Sequence, residues 1–214
     1  MDLVEKMVRE AAEKVGALQV DWGGMDIDLS KPFERVPMLK LLKDATGCDL
    51  GDVTDDEIKT VCVNNNIEVG GTWNYGQMLD ELMSKLVEPN LIQPTFIIDY
   101  PKAISPLAKV HRNGNQNLVE RYELFIGGAE FANSFSELND PVDQRERLEA
   151  QAALKEKGDE EAQPVAEQFI QAMECGMPPT GGVGLGIDRL TMLLTEQHTI
   201  KDVILFPAMR TVDE

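Results

Sequence analysis

Residues 123–137 read "ELFIGGAEFANSFSE". Gly127-Gly128 has the form of a two-residue hairpin turn, whose central positions need positive φ and so favour glycine. The flanking runs mix apolar and polar residues as half-buried strands do. Pairing about the turn sets Phe125 opposite Glu130 and Glu123 opposite Ala132. Glu123 and Glu130 then leave the sheet from one side. Asn133, Phe135 and Glu137 alternate, so they also share a face, but in a regular strand it is the face opposite to Glu130. A bulge near Ala132 would bring all of these side chains to one side, and bulges re-aim side chains beside active sites.

The acids of this stretch stand among apolar and small residues, with no lysine between them. Two neighbouring carboxylates repel unless a cation lies between them. Mg²⁺ suits that place, because it takes oxygen ligands and bridges one or two carboxylates to phosphates. A separate glutamate beside an aromatic ring could grip an ammonium group. A solvent-facing strand that happens to carry Glu123, Glu130 and Glu137 is the alternative.

A second constellation is "GGVGLGIDRL" at 181–190. Its glycines permit close backbone approach. Asp188 and Arg189 open a helix, where an anion is favoured, and an arginine can clamp a phosphate with two parallel bonds. Neither the dinucleotide-binding glycine pattern nor a phosphate-loop lysine is present. Glycines serving only strand–helix packing are the alternative here. Neither constellation offers a nucleophile, so the chemistry implied is electrostatic, as in phosphoanhydride reactions.

Outward from these motifs, Leu3, Val4, Met7, Val8, Ala11, Ala12 and Val15 make one apolar stripe, a helix stopped at Gly16. Met25, Ile27 and Leu29 alternate as a strand. Pro37 opens a helix that closes at Gly47, and Thr54 with Glu57 forms a capping box for the next. A helix is expected over about 75–87 and a buried strand over 94–101. Pro141 begins another helix, 154–163 is a charge-rich break, and Val165, Phe169, Ala172 and Met173 mark a helix stopped by Gly176. Residues 199–207 begin with a Thr199-to-Asp202 cap and end in an apolar strand. Five or six strands and six or seven helices, without strict alternation, imply an α+β fold with a mainly antiparallel sheet flanked by helices.

Composition sets the outer bounds. The chain has 214 residues, 43% apolar and 27% charged, enough for a real core. A net charge of −18 argues against nonspecific binding to nucleic acid or to a membrane surface. Cys48, Cys62 and Cys175 are widely spaced, which fits reduced thiols in the cytoplasm rather than a zinc site. His111 and His198 lie far apart in polar contexts, as surface or capping residues do. No apolar run approaches the roughly 18 residues of a membrane span.

"RYELFIGGAEFANSFSELNDP" (121–141), "PPTGGVGLGIDRLTMLLTEQHTIKDVILFPAMR" (178–210) and "PTFIIDYPKAISPLAK" (94–109) resemble class II lysyl-tRNA synthetases. The likeness runs from Asp2 to Arg210. "GIDR" matches the third signature motif of class II synthetases, and the "LFPAMR" ending favours the lysyl branch over the aspartyl and asparaginyl ones. The resemblance implies ATP-dependent activation of lysine to lysyl-adenylate and its transfer to tRNA(Lys), a step of protein biosynthesis. It implies Mg²⁺ held between ATP phosphates by Glu123 and Glu130. Substrate lysine falls to Asn133, Phe135 and Glu137, with Glu137 on the ε-ammonium. ATP falls to Glu130, Phe131, Ala132 and Asn133 and to Gly186, Ile187, Asp188 and Arg189, with Arg189 as the catalytic arginine on the γ-phosphate.

The same comparison sets residues 1–214 as the C-terminal portion of a synthetase catalytic domain, its sheet incomplete on the N-terminal side. The anticodon-binding domain and the first two signature motifs are absent from it. With them go the usual homodimer contact, the arginine on the α-phosphate and the aromatic that stacks adenine. The expectation is an enzyme part with little activity of its own. A catalytically incompetent synthetase-like paralogue, acting as a binding or regulatory module, is the alternative. Relatives that attach lysine to a protein side chain retain the first two motifs and fit this chain poorly.

Overall fold

In the computed structural model, which describes residues 1–71, 73–156 and 165–208, the hairpin lies within a five-stranded sheet. Its strands are β3 (Glu34–Pro37), β4 (Thr95–Ile98), β5 (Arg121–Ile126), β6 (Ala129–Ser136) and β7 (Gly181–Leu185), in the order β3-β4-β5-β6-β7. The first pair is parallel and the other three are antiparallel. A separate two-stranded ribbon joins β1 (Gln19–Asp21) to β2 (Asp26–Asp28). The fold is α+β and mainly antiparallel, as expected.

Each face of the sheet carries a core because the strands alternate. On one side Phe96, Leu124, Ile126, Phe131 and Ala132 pack with Val4, Val8 and Ala12 of α1 (Asp2–Val15) and with Leu190 and Leu193 of α7 (Ile187–Leu194). On the other, Ile97, Tyr100 and Phe125 pack with Met38 and Leu42 of α2 (Met38–Thr46), Ile58 of α3 (Asp55–Asn64) and Met78 and Leu82 of α4 (Tyr75–Leu82). This second side is left open over β7, where Gly184 is exposed. Two further helices, α5 (Pro141–Glu156) and α6 (Glu167–Glu174), meet at Leu148, Ile170 and Met173.

Local signals are met where they were sharpest. Gly16 and Gly47 end α1 and α2 in the left-handed conformation, at φ 73° and 74°. Thr54 and Glu57 form the full capping box of α3. Asp140 accepts the backbone N–H groups of Val142 and Asp143 at the start of α5. The helix begun at Tyr75 runs through a π-helical turn (Met83–Val87) into a 3₁₀ turn (Glu88–Asn90).

Three expectations change. The described residues form seven strands, not five or six: β1 and β3 were unforeseen. β3 has no fully buried residue and no alternation, and its parallel pairing with β4 holds it. The apolar run after Thr199 is a 3₁₀ turn (Ile200–Asp202) and then irregular, with Leu205 and Phe206 at 89% and 93% exposure. An apolar run becomes a strand only where a neighbour pairs its backbone, and the described sheet ends at β7. Residues 154–156 of the expected charge-rich break belong to α5; the rest of that break, and Met209 and Arg210 of the "LFPAMR" ending, lie outside the described residues.

Candidate functional site

The hairpin turn is as expected: Gly127 and Gly128 take φ 57° and 75° and Ile126 faces Ala129. Phe125 pairs with Glu130, and then the register shifts. Leu124 pairs with Ala132 and Glu123 with Asn133, so Phe131 is the extra residue of a bulge. The expected pairing of Glu123 with Ala132 is thus corrected by one position. The bulge lets Phe131 and Ala132 both turn into the core, at 1% and 2% exposure. It returns Asn133 to the face of Glu123, Phe125 and Glu130, with Phe135, opposite Arg121, on that face too. A regular ladder would have put Asn133 on the far side.

Glu123 is tightly held. Tyr100 donates its hydroxyl to Glu123 Oε2 at 2.7 Å, and Arg121 Nη2 donates to Oε1. Arg121 also donates from Nε to Asn133 Oδ1 at 3.3 Å, and from Nη1 to Ile104 O and Ser105 Oγ at 2.9 and 3.0 Å. Its guanidinium stacks on the Tyr100 ring, 4.6 Å from the centroid. Burial pushes the Tyr100 hydroxyl far up, and the Glu123 charge adds to it.

Glu130 differs. Its carboxylate takes no hydrogen bond from the described residues, and burial and then the Glu123 charge hold its pKa above the usual carboxylate value. Glu88 joins this group. The turn places it there, because Gly127 and Gly128 donate their N–H groups to Ile92 O and Leu91 O at 2.9 and 3.1 Å. Burial, then Glu123 and Glu130, raise the Glu88 carboxyl as well. Three acids against one paired guanidinium, Arg121 on Glu123, leave negative charge that a divalent cation would suit. No group of three or more His, Cys, Asp or Glu among the described residues is already arranged as a cage.

Arg189, in the first turn of α7, reaches β6 and donates Nη1 to Glu130 O. Arg189 itself is exposed, and Glu130 feels its charge. Gly186 is fixed by a 2.9 Å bond from its N–H to Phe131 O. Ile187 is 61% exposed and Asp188 is exposed. The core-facing side chains of Phe131 and Ala132 leave only backbone to a ligand.

At the other end of β6, Glu137 continues the face beyond Phe135 and bridges to Ala108. Its carboxylate lies over Gly182: a Cβ there would stand 2.0 Å from Glu137 Oε1. Burial raises its pKa, and no described residue bonds the carboxylate. Gly184, opposite Asn133, leaves open floor, since an added Cβ would meet only Asn133 O at 3.8 Å. Sequence reasoning named Glu123, Glu130, Asn133, Phe135, Glu137 and Arg189; the first five share one face of β5 and β6, and Arg189 reaches Glu130 O from α7. It missed Glu88, Tyr100, Arg121 and the particular need for Gly182. The nearest signal was "RYELF" itself, an arginine two residues before the acid on an alternating strand.

The cysteines and histidines stand apart from this face. Cys62 is buried, and Cys48 and Cys175 are exposed; all three are free. His111 Nδ1 accepts from Asn113 N at 3.2 Å and its Nε2 stands 3.3 Å from Asp99 Oδ1. His198 packs edge-on against Trp22. No helix of the described residues is long and apolar enough to cross a membrane.

The mainly antiparallel sheet thus carries its acids on one hairpin and leads through a glycine strand to an arginine at a helix start. A family profile described as tRNA synthetases class II (D, K and N) matches residues 1–210, and the chain belongs to that family. Within it, the chain is similar to proteins named lysine–tRNA ligase. It is 53% identical over 213 residues to that of Nostoc punctiforme, 48% over 217 to that of Carboxydothermus hydrogenoformans and 47% over 211 to that of Porphyromonas gingivalis. These alignments cover 98%, 100% and 98% of this chain but 38%, 44% and 36% of those relatives. The chain spans less than half the length of the curated relatives it matches.

Proposed function

We propose that this chain carries the lysine subsite and the metal–nucleotide subsite of a lysine–tRNA ligase, the C-terminal portion of its catalytic domain. The observation that carries this reading is the Glu137 carboxylate, unpaired among the described residues and laid over Gly182. Asn133 stands two strand positions before Phe135 and opposite Gly184. Arg121 occupies Asn133 Oδ1, so the amide N–H groups are what remain for a ligand. The face therefore offers a donor at one end, an aromatic ring in the middle and an anion at the other end. Asn133 and Glu137 are four strand positions apart, about 13 Å. An extended lysine has roughly 6 Å between Cα and Nζ, and hydrogen-bond contacts of about 3 Å at each end make up the difference. Its carboxylate would take the Asn133 end, its methylenes the Phe135 ring and its ammonium Glu137.

On the nucleotide side, Glu123 and Glu130 would hold Mg²⁺ against ATP phosphates, with Glu88 adding negative charge nearby. Arg189 and the first turn of α7 would meet the terminal phosphate. Mg²⁺ supplies charge neutralisation when bound. The residues' own work is placement: the bulge keeps Glu130 and Asn133 on one face, so the lysine carboxylate and the phosphates share a side of the sheet. The complete reaction would be adenylation of lysine followed by transfer to tRNA(Lys). Titration calorimetry of the chain with lysine, ornithine and arginine tests the reading. Lysine is expected to bind best, and Glu137→Gln to abolish the preference. Equal affinity for ornithine and lysine would count against Glu137 as the ammonium acceptor.

A further inference from the structure

We infer that Arg121 is a positioning residue that joins the two subsites and restrains the acids from taking a cation without nucleotide; this rests on the function proposed above. The geometry is that of one guanidinium shared four ways. Nη2 serves Glu123, Nε serves Asn133, and Nη1 serves Ile104 O and Ser105 Oγ on the segment after β4. The Tyr100 ring fixes its plane, and Tyr100 Oη holds the other oxygen of Glu123. Glu123 and Asn133 are a directly opposed pair on β5 and β6. The first belongs to the metal side and the second to the lysine side, and a rigid fork sets both.

Two consequences differ in sign. The positive charge against Glu123 cancels part of the field that Glu123, Glu130 and Glu88 would present to a divalent ion. Metal binding then depends on the phosphates that arrive with it, which suits a site meant to hold Mg²⁺ only with ATP. At the same time the Nε bond takes up Asn133 Oδ1 and so leaves the amide N–H groups for a ligand. A lysine side chain at position 121 would keep the charge but could not bond Glu123, Asn133 and Ser105 together, because its ammonium is a single point on a flexible stem.

The test uses the whole chain with Mn²⁺ alone as the metal probe, read by electron paramagnetic resonance, and with lysine read by calorimetry. Thermal melts serve as a folding control. Arg121→Met is expected to bind nucleotide-free Mn²⁺ several-fold more tightly than the parent chain and lysine about ten- to a hundredfold more weakly. Arg121→Lys is expected to bind Mn²⁺ as the parent does and lysine as weakly as the methionine variant. A general loss of structure would weaken both ligands together, and that result would overturn the proposal. So would an unchanged lysine affinity in Arg121→Lys. A parent chain that binds no lysine would sink the function reading and this proposal with it. A parent chain that binds lysine, with variants that fail the opposed pattern, would sink this proposal alone.

Discussion

Gly182 shows how one missing side chain makes a site. Its neighbour Gly181 would meet nothing within 4 Å if given a Cβ, whereas a Cβ at Gly182 would sit 2.0 Å from Glu137 Oε1. That oxygen ends a flexible side chain, so Gly182→Ala should displace the carboxylate rather than distort the sheet. The melting temperature of Gly182→Ala is expected to stay near that of the parent. Its lysine affinity is expected to fall by about 1.5–3 kcal/mol, the worth of a charged hydrogen bond. Gly181→Ala should change neither. Calorimetric lysine titrations of the two variants check this, and parent-like binding by Gly182→Ala would mean that Glu137 does not receive the ammonium. Nothing in a run of glycines tells which of them faces a carboxylate. That depends on the β6–β7 register, which pairs Phe135 with Gly182.

At the scale of elements, the hairpin, the 3₁₀ turn and the start of α7 together assemble charges that no one of them would tolerate alone. Glu88 and Glu130 are held above the ordinary 4.5 by burial and by neighbouring acids. Each binds its proton more tightly folded than unfolded. Their penalty is therefore absent below 4.5 and complete once pH has risen past the raised folded values. Glu120 acts in reverse: Arg112 above all, with Ser136, holds it down to about 2, so its contribution is present above 4.5 and lost as pH falls toward 2. Glu130→Gln should accordingly gain stability relative to the parent as pH rises from 4.5 to 7, and Mg²⁺ should narrow that gap. Melting curves across this range, with and without millimolar Mg²⁺, give the answer; a gap that shrinks with pH would contradict the assignment. Much of this was legible in the sequence. A hairpin whose acids and amide had to share a face implied a bulge. Which residue was extra depended on the core, which has room for both Phe131 and Ala132. Glu88 was not legible, because only the backbone bonds from the Gly127-Gly128 turn bring its segment to the acids. The strand expected after Thr199 failed for the converse reason, since apolarity is local and pairing is not.

At the scale of the whole molecule, the outer edge of β7 stands out. Its five residues, Gly181–Leu185, include no charge and no proline, and Val183 and Ile187 beside it are 57% and 61% exposed. Sheet edges are usually blunted by lysine, proline or a bulge. The chain is expected to associate through this edge as its concentration rises, and Val183→Lys to reduce the association, as light scattering on a sizing column would show. Activity is expected to be limited on the same scale. Among the described residues, Arg189 is the guanidinium that faces the acids with N–H groups to spare, because all three nitrogens of Arg121 are engaged within the protein. Adenylation builds negative charge at the α-phosphate, while the function proposed above puts Arg189, beside Glu130 and at the head of α7, at the far end of the triphosphate. One arginine cannot serve both ends. An arginine on such transition-state charge is worth roughly 10³–10⁵ in rate. Lysine-dependent ATP–pyrophosphate exchange by the 214-residue chain alone is therefore expected to run at least about a thousandfold below that of a complete lysine–tRNA ligase. Exchange at a comparable rate would show that the acids, Arg189 and the lysine face suffice for adenylate chemistry.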